Sequence, residues 1–186
     1  VTEGAISIRL CEDDYPGWLA IADLESVDRA DPPYHPSSLP ESEIRDRIPA
    51  AIAFAEAAMR QPNEYLWGGT VAPNYDCSGL VQAAFCSIGV WLPRDAYQQE
   101  AFVQPVALEA LIPGDLVFFG NPSKATHVAI YIGDDRYIHS SGKDQGRNGI
   151  GIDQLSGSDD PVSQKYRSQL RGAGRVVKCY QPESRG

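Results

Sequence analysis

The chain has 186 residues, of which 42% are hydrophobic and 22% are charged, and its formal net charge is −9. This composition can build a hydrophobic core, and an acidic chain without a Lys- or Arg-rich run has no electrostatic footprint for nucleic acid. No apolar run approaches the ~20 residues of a membrane-spanning helix, so we expect no membrane insertion.

The N-terminal segment predicts a small β unit followed by a linker. Residues 5–10 alternate apolar and polar side chains, and residues 18–24 form a second strand candidate after a turn at residues 11–17. Two strands are too few for a stable unit, so they belong to a small β-barrel or lie against the main domain. Residues 31–40 contain four prolines, which predicts an extended linker.

Helical patterns follow the linker. Ser42 is a good N-cap for the first helix, and Pro49 is expected to break or restart it before the Ala-rich run at residues 50–59. From Cys77 onwards, apolar residues recur at the i+3, i+4, i+7 spacing of an amphipathic helix, which Gly89 should end.

The second half of the chain is rich in short β-type runs, each bounded by Gly, Asp, Asn or Pro. These runs cover residues 115–120, 127–133, 136–141, 150–153 and 175–180. Helices followed by a meander of strands predict an α+β fold with an antiparallel sheet.

Two of the three histidines lie on neighbouring predicted strands. A tight turn at residues 133–136 would pair these strands and place His127 and His139 at the same end of one sheet face. With Cys77, they could form a triad in which one imidazole takes the thiol proton and the other orients it.

The position of Cys77 at a helix N-terminus gives it a second chemical advantage. Unpaired N–H groups and the helix dipole favour the thiolate there, and a backbone N–H can help to bind an oxyanion. The alternatives are an inert cysteine, structural histidines, or a metal site formed by Cys77, His127 and His139. Eleven residues between the histidines do not form a compact metal motif.

The local sequence resembles the NlpC family of papain-like cysteine peptidases, which cut bacterial cell-wall peptides. The matching stretches occur in the family's order: YLWGG at 65–69, DCSGLVQ at 76–82, LPR at 92–94, PGDLVFF at 113–119, HVAIYIG at 127–133 and IHSS at 138–141. The resemblance covers about residues 45–180. It implies N-terminal helices packed on an antiparallel sheet.

The same resemblance implies a role for each site residue. Cys77 is the nucleophile, His127 is the general base and later the acid, and His139 orients His127. The hydroxyl of Tyr65 helps to form the oxyanion hole with the N–H of Cys77; the alternative for Tyr65 is a buried aromatic residue. Trp67 is expected to pack rather than to catalyse.

Some members of this family are γ-D-glutamyl-L-diamino acid endopeptidases that require the free amine of a terminal L-Ala. Asp76 and Ser78 match positions that hold this end of the substrate, and Asp95 is a further candidate because a carboxylate suits an ammonium group. Tyr15 resembles a tyrosine that an N-terminal SH3-like domain contributes to the cleft. The alternative for Asp95 and its neighbour Arg94 is a surface salt bridge or a loop anchor.

The domain organisation follows from these assignments. We expect a partial SH3-like β segment at 1–30, a Pro-rich linker at 31–41, the peptidase domain at 42–180 and a tail at 181–186. The β segment is called partial because a complete barrel needs about 60 residues. Its acidic turn, Glu12, Asp13 and Asp14, is expected to be solvated.

The function implied by the resemblance is hydrolysis of the γ-D-glutamyl–diamino acid bond, with meso-diaminopimelate or Lys, in peptidoglycan stem peptides or muropeptides. The expected enzyme is a monomer that needs neither a metal nor an organic cofactor. Muropeptide recycling would place it in the cytoplasm, and wall remodelling would place it in the periplasm or at the cell wall. An amidase or acyltransferase of the same fold and a catalytically weak cell-wall binding module are the alternatives.

Overall fold

A computed structural model describes residues 4–182, and its first part is a β-hairpin. Strands β1 (Ala5–Arg9) and β2 (Pro16–Ala20) pair antiparallel, and a 3-10 helix (Ile21–Ser26) follows directly. The strand predicted over residues 18–24 therefore starts earlier and ends earlier. Its residues 21–24 belong to the 3-10 helix instead, and they include Asp23, a residue type that is depleted in strands.

The turn of the hairpin attaches to the rest of the protein. The carboxylate of Asp13 is 8% exposed and accepts hydrogen bonds from the amide of Gln82 (2.8 Å) and from the N–H of Tyr15 (3.0 Å). The hydroxyl of Tyr180 donates to Asp14 (3.2 Å). The prediction of a solvated turn is wrong for Asp13, because its carboxylate satisfies a buried amide.

The sequence-based domain boundaries stay predictions, and so does the SH3-like assignment of the hairpin segment. Residues 1–3 of the predicted β segment and residues 183–186 of the predicted tail lie outside the described residues.

Residues 27–40 run to helix α1 (Glu41–Met59) along a largely exposed path. Two predictions for this helix were wrong: Pro40 rather than Ser42 is the N-cap, and the helix continues through Pro49. One buried face runs along both sides of the proline and consists of Ile44, Ile48, Ala51 and Ala55. Packing of this face offsets the hydrogen bond that Pro49, an exposed residue, cannot donate.

A short hairpin leads into the central helix. Strands β3 (Thr70–Val71) and β4 (Asn74–Tyr75) pair, and α2 (Cys77–Cys86) begins two residues after Tyr75, with Asp76 between them. The predicted apolar face of α2 is buried: Leu80, Val81, Ala84 and Phe85. Gly89 adopts a φ of +82° just after the helix, where the sequence predicted its end. Helix α3 (Ala96–Phe102), which was not predicted, follows.

The second half of the chain forms a six-stranded antiparallel sheet, which confirms the α+β prediction. The strands are β5 (Gln104–Val106), β6 (Leu116–Asn121), β7 (Lys124–Gly133), β8 (Arg136–Ser141), β9 (Gly149–Gln154) and β10 (Leu170–Arg175), with α4 (Pro161–Arg167) between the last two. Their order in the sheet is β5-β10-β6-β7-β8-β9. Asp134 and Asp135 form the β7–β8 turn with φ values of 51° and 62°, as a two-residue hairpin requires.

The strand predicted at residues 175–180 is wrong. The last strand, β10, lies before this segment and ends at Arg175. Val176 and Cys179 instead bury their side chains in the core, and the N–H of Tyr180 donates to the carbonyl of Trp91 (2.8 Å). The apolar pattern of this segment reflects packing rather than strand pairing.

Each face of the sheet has its own apolar layer. One face packs with α1 and α2 through Leu116, Phe118, Val128, Ile130 and Ile138. The other packs with α4 through Val117, Phe119, Ala129 and Tyr137, which meet Val162 and Tyr166. The candidate site lies where α2 packs against β7 and β8.

Candidate active site

The local sequence places Cys77 at the first position of α2. Asp76 is the N-cap, and its carboxylate accepts a hydrogen bond from the N–H of Gly79 (2.7 Å), which satisfies one of the unpaired donors of the first turn. The thiol residue itself is 6% exposed. The N–H of Cys77, like the other first-turn donors, has no carbonyl partner within the helix and is available to a ligand.

The preceding loop is fixed to the same helix start. The N–H of Asp76 donates to the carbonyl of Gly69 (3.1 Å), and the N–H of Gly68 donates to the Asp76 carboxylate (2.9 Å). Gly79 lies so close that a Cβ there would be 2.0 Å from the Gly69 oxygen. The loop that carries Tyr65 and the helix that carries Cys77 therefore form one unit.

Asp76 and Arg94 form a buried ion pair rather than the surface salt bridge considered for Arg94. The guanidinium donates to both carboxylate oxygens, at 3.1 and 2.7 Å, and to the hydroxyl of Ser78 at 2.9 Å. The two charged side chains are 7% and 10% exposed. With Gly68, Gly79 and Ser78 also donating, Asp76 has no acceptor capacity left for an incoming ammonium group.

The surroundings of Cys77 disfavour its thiolate form. Burial, and then the charge of Asp76, raise the pKa of Cys77 to about 11, although the N–H groups of Val128 and Ser78 act in the opposite direction. The prediction that the helix start favours a thiolate is therefore wrong for the free protein. Desolvation of a buried thiol outweighs the dipole of a ten-residue helix.

The two histidines meet as the strand pattern predicts. In the β7–β8 register Ile130 lies opposite Ile138, so His127 and His139 are diagonal neighbours. The Nε2 of His127 lies 2.7 Å from the Nδ1 of His139, and both side chains are buried. Of the four ring nitrogens of this pair, only Nδ1 of His127 has no hydrogen-bond partner within residues 4–182.

A third group, which the sequence reasoning missed, stands behind the pair. The Nε2 of His139 lies 2.6 Å from the carboxylate of Asp153 on β9, and Arg147 binds both oxygens of that carboxylate. The strand pattern of the sequence could have revealed this residue. Because His139 pairs with Gly151, Asp153 two residues later shares its sheet face.

Both imidazoles are held neutral. Burial, and then the neighbouring His139, lower the pKa of His127 well below its usual value. Burial also lowers the pKa of His139, against the opposing effect of the Asp153 carboxylate. Both pKa shifts oppose a preformed thiolate–imidazolium pair and leave the imidazole of His127 able to accept a proton.

Tyr65 contributes a hydroxyl that stays protonated. Burial, and then the charges at Cys77 and Asp76, raise its pKa to about 12. The side chain is half-buried, and its ring lies against Gly142, where a Cβ would be 3.5 Å from the ring. Tyr65 is therefore a donor beside Cys77 and not a fully buried aromatic residue.

A two-part cleft surrounds these groups. One part, about 390 Å³, contains Cys77 and the predicted substrate residues Tyr15, Asp76, Ser78 and Asp95. The other, about 210 Å³, contains His127, Asp144, Gln145 and Tyr166. Tyr65 and Thr126 line both parts. The structure therefore brings every sequence-predicted site residue except the inner His139 to the wall of this cleft.

Trp67 corrects one prediction. It was expected to pack, but its side chain is 86% exposed at the rim of the larger part of the cleft. The loop at residues 66–69 binds the start of α2 through its backbone, so this side chain is not needed for packing.

Another cavity, about 620 Å³ and mostly apolar, lies between the hairpin turn and α2. It contains Cys86 but neither Cys77 nor the two site histidines, so we do not assign the chemistry to it. Among residues 4–182, no cluster of His, Cys, Asp and Glu has a metal-binding arrangement. Both nitrogens of His139 are committed to other partners, which argues against the metal alternative.

Comparison with known proteins identifies the family of this chain. The model of the NlpC/P60 family matches residues 62–171, which is more than half of the chain. The probable endopeptidase p60 of Listeria seeligeri is 35% identical over 123 residues, or 66% of this chain and 21% of the relative. The bifunctional muramidase/DL-endopeptidase CwlT of Bacillus subtilis is 39% identical over 138 residues, or 69% of this chain and 39% of the relative.

Solved structures share the fold. The peptidoglycan hydrolase RipB of Mycobacterium tuberculosis superposes with a TM-score of 0.59 at 24% identity, over 75% of this chain and 69% of that one. A protein described as similar to a lipoprotein of the NLP/P60 family, from Staphylococcus aureus, gives 0.54 at 27% identity, over 78% and 45%. The chain spans about a fifth to two fifths of the curated relatives named above. It belongs to the NlpC/P60 family.

Proposed function

From membership of the NlpC/P60 family, we propose that this protein is a cysteine endopeptidase of peptidoglycan stem peptides that hydrolyses the γ-D-glutamyl–L-diamino acid bond. The observation that carries the proposal is the position of Cys77, at a helix start, in one part of the cleft, with His127 in the adjoining part that shares Tyr65 and Thr126. His139 lies behind His127 at hydrogen-bond distance.

The proposed reaction uses groups that are already in place. As the scissile carbonyl approaches, Nδ1 of His127 takes the thiol proton and Sγ of Cys77 attacks the carbonyl carbon. The Tyr65 hydroxyl and the Cys77 N–H donate to the oxyanion. His127 then protonates the leaving amine, and water, activated by the same imidazole, hydrolyses the thioester and restores the thiol.

The bond specificity is supported by a relative and by the cleft. The Bacillus subtilis relative is named a DL-endopeptidase, and a γ-D-glutamyl–L-diamino acid bond joins a D residue to an L residue. Beyond the saturated Asp76, the cleft around Cys77 contains the half-buried carboxylate of Asp95 and the side chain of Tyr15. We assign these two groups to the free amine of a terminal L-Ala.

Two synthetic peptides test the proposal. L-Ala-γ-D-Glu-meso-diaminopimelate should be cleaved by the wild type and not by Cys77→Ala, while Cys86→Ala, a matched change nine residues later in the same helix, should retain activity. The N-acetylated peptide should be cleaved poorly. Equal cleavage of both peptides would remove the amine specificity. Cleavage of neither would favour the amidase, acyltransferase or binding-module alternatives.

The compartment depends on the form of the substrate. No helix within residues 4–182 is both long and apolar enough to cross a membrane. We propose action on soluble muropeptides in the cytoplasm, where recycling takes place. Rapid cleavage of the free tripeptide with no release from intact cell walls would support this placement, and release from intact walls would favour the periplasm or cell wall.

A further inference from the structure

Asp153 is the innermost member of a hydrogen-bonded chain that ends in the cleft. Its carboxylate is 3% exposed and lies 2.6 Å from Nε2 of His139. Arg147 donates to both carboxylate oxygens, through Nε at 2.8 Å and through a second, short contact. The hydroxyl of Ser163 in α4 donates to it at 3.3 Å.

The protonation state of each ring nitrogen follows from these contacts. An ionised carboxylate only accepts hydrogen bonds, so Nε2 of His139 must carry the proton that points at Asp153. Because the imidazole is neutral, its Nδ1 has a lone pair, and Nε2 of His127, 2.7 Å away, must be the donor. The lone pair of His127 is then on Nδ1, the nitrogen left for the thiol proton.

The opposite arrangement has a clear cost. If His139 carried its proton on Nδ1, its Nε2 lone pair would face the Asp153 carboxylate at 2.6 Å. The Nε2 of His127 would then have to accept, and its proton would move to Nδ1, where it would block proton transfer from Cys77.

We propose that Asp153, held by Arg147, is a positioning residue that sets the tautomers of both His139 and His127 and thereby leaves the base nitrogen free. This inference rests on the proposed function for its catalytic consequence, but not for the tautomers themselves. Nothing in the triad motif calls for this fourth group, because the orienting role was assigned to His139 alone.

Arg147 has a distinct part in this arrangement. The hydrogen bond from His139, and then that from Arg147, hold the pKa of Asp153 below the usual range despite burial, and the charge of Arg147 also lowers the pKa of His139. The carboxylate therefore stays ionised without drawing a second proton onto the imidazole. The other titratable groups here are Tyr137 on β8 and Tyr166 and Asp160 of α4; burial raises the pKa of both tyrosines, so they are neutral.

The first test reads the tautomers directly. Nitrogen-15 NMR of histidine-labelled protein at pH 7.5 should show the proton on Nε2 in both His127 and His139. In Asp153→Asn, the carboxamide can donate as well as accept, so both rings should shift partly or fully to the Nδ1–H form. The matched control is Asp115→Asn, which changes another buried carboxylate with a bidentate arginine partner, Arg175, away from the histidines.

The second test measures activity. Asp153→Asn should lower kcat about 100-fold with KM within about twofold, because substrate contacts are unchanged. Asp115→Asn should keep kcat within about twofold after correction for the folded fraction. If the wild type hydrolyses no stem peptide, the proposed function fails, but the NMR result still decides the tautomer assignment.

A third variant covers the case in which Asp153→Asn does not fold. Arg147→Gln changes a partly exposed side chain and keeps Asp153. Loss of the positive charge should raise the pKa of His139, which must stay neutral to accept the His127 proton, and should therefore move the acid limb of the kcat/KM profile to higher pH, an effect that a purely structural role would not produce. Unchanged tautomers in Asp153→Asn, or an unchanged acid limb in Arg147→Gln, would overturn the proposal.

Discussion

The rings of His127 and His139 meet almost at right angles, with an interplanar angle of 89° and 5.0 Å between their centroids. Tyr166 of α4 holds both rings from one side, with centroid distances of 4.4 and 4.9 Å. The perpendicular arrangement lets a nitrogen at the edge of one ring point at a nitrogen of the other. The candidate base is therefore fixed in orientation before any substrate binds.

The first prediction concerns pH. The proposed base must be neutral to accept the thiol proton, and burial lowers the pKa of His127 well below its usual value. Activity should therefore persist as the pH falls through 6.5 and be lost only at more acidic pH. A kcat/KM profile of the wild type measures this directly. An acid limb above pH 6.5 would contradict the neutral, desolvated imidazole.

The second prediction concerns the oxyanion donor. Tyr65→Phe removes a hydroxyl whose pKa is about 12 and which is thus a donor at every working pH. We expect kcat to fall about 100-fold, since one donor of an oxyanion hole is lost, with little change in KM. Steady-state kinetics on the free tripeptide give the result. Tyr34→Phe, at an exposed linker position, is the control that should change neither parameter.

The third prediction concerns the ion pair beneath the cleft. Arg94→Met leaves the buried Asp76 carboxylate without its charged partner, which should lower the free energy of unfolding by about 3–5 kcal/mol. Arg136→Met breaks an exposed pair with Asp134 and should cost at most about 1 kcal/mol. Urea unfolding of both variants gives the two changes in unfolding free energy. A loss for Arg94→Met as small as that for Arg136→Met would show that the buried pair contributes little to stability.

The fourth prediction concerns the close approach of two backbones. A Cβ at residue 79 would lie 2.0 Å from the Gly69 oxygen, so Gly79→Ala must displace either the loop or the helix start. We expect a loss of at least about 2 kcal/mol in unfolding free energy and a large fall in kcat. Gly17→Ala is the control, since its Cβ would meet Ile8 at an ordinary 3.5 Å. Equal unfolding free energies of the two variants would show that the backbones at residues 69 and 79 can move apart at little cost.

The fifth prediction concerns the amine end of the substrate. Asp95→Asn keeps a side chain suited to the N-cap of α3 but removes the charge assigned to the ammonium group. KM for the free tripeptide should rise at least about tenfold, and KM for the acetylated peptide should stay the same. A parallel rise for both peptides would place Asp95 in a general structural role.

The strand pattern carried most of the usable information in the sequence. The runs that became β6 to β8 alternate or are wholly apolar between clear turn residues, so both the antiparallel pairing and the histidine pair could be predicted. Helices α3 and α4 were not predicted, because their sequences, AYQQEAF and PVSQKYR, are only seven residues long, which is too short for a helical period to stand out.

Electrostatic details of the site were less predictable than its composition. Helix position alone argued for a thiolate at Cys77, but the extent of burial, which outweighs the dipole, depends on how α2 packs on the sheet. The same holds for Arg94, whose partner lies 18 residues away and becomes buried only in the folded protein. The position of Asp153 beside His139 could have been predicted, because it follows from the pairing of β8 with β9 alone.

The glycine contact between residues 69 and 79 divides the chemistry between two bodies. The proposed nucleophile, Cys77, and the proposed oxyanion donors lie on the loop–helix unit, whereas the histidines lie on the sheet. In the proposed mechanism, the distance that the proton must cross therefore depends on the apolar contacts between α2 and β7. Substitutions among the buried apolar residues between α2 and β7 would therefore slow proton transfer although none of these residues takes part in the proposed reaction.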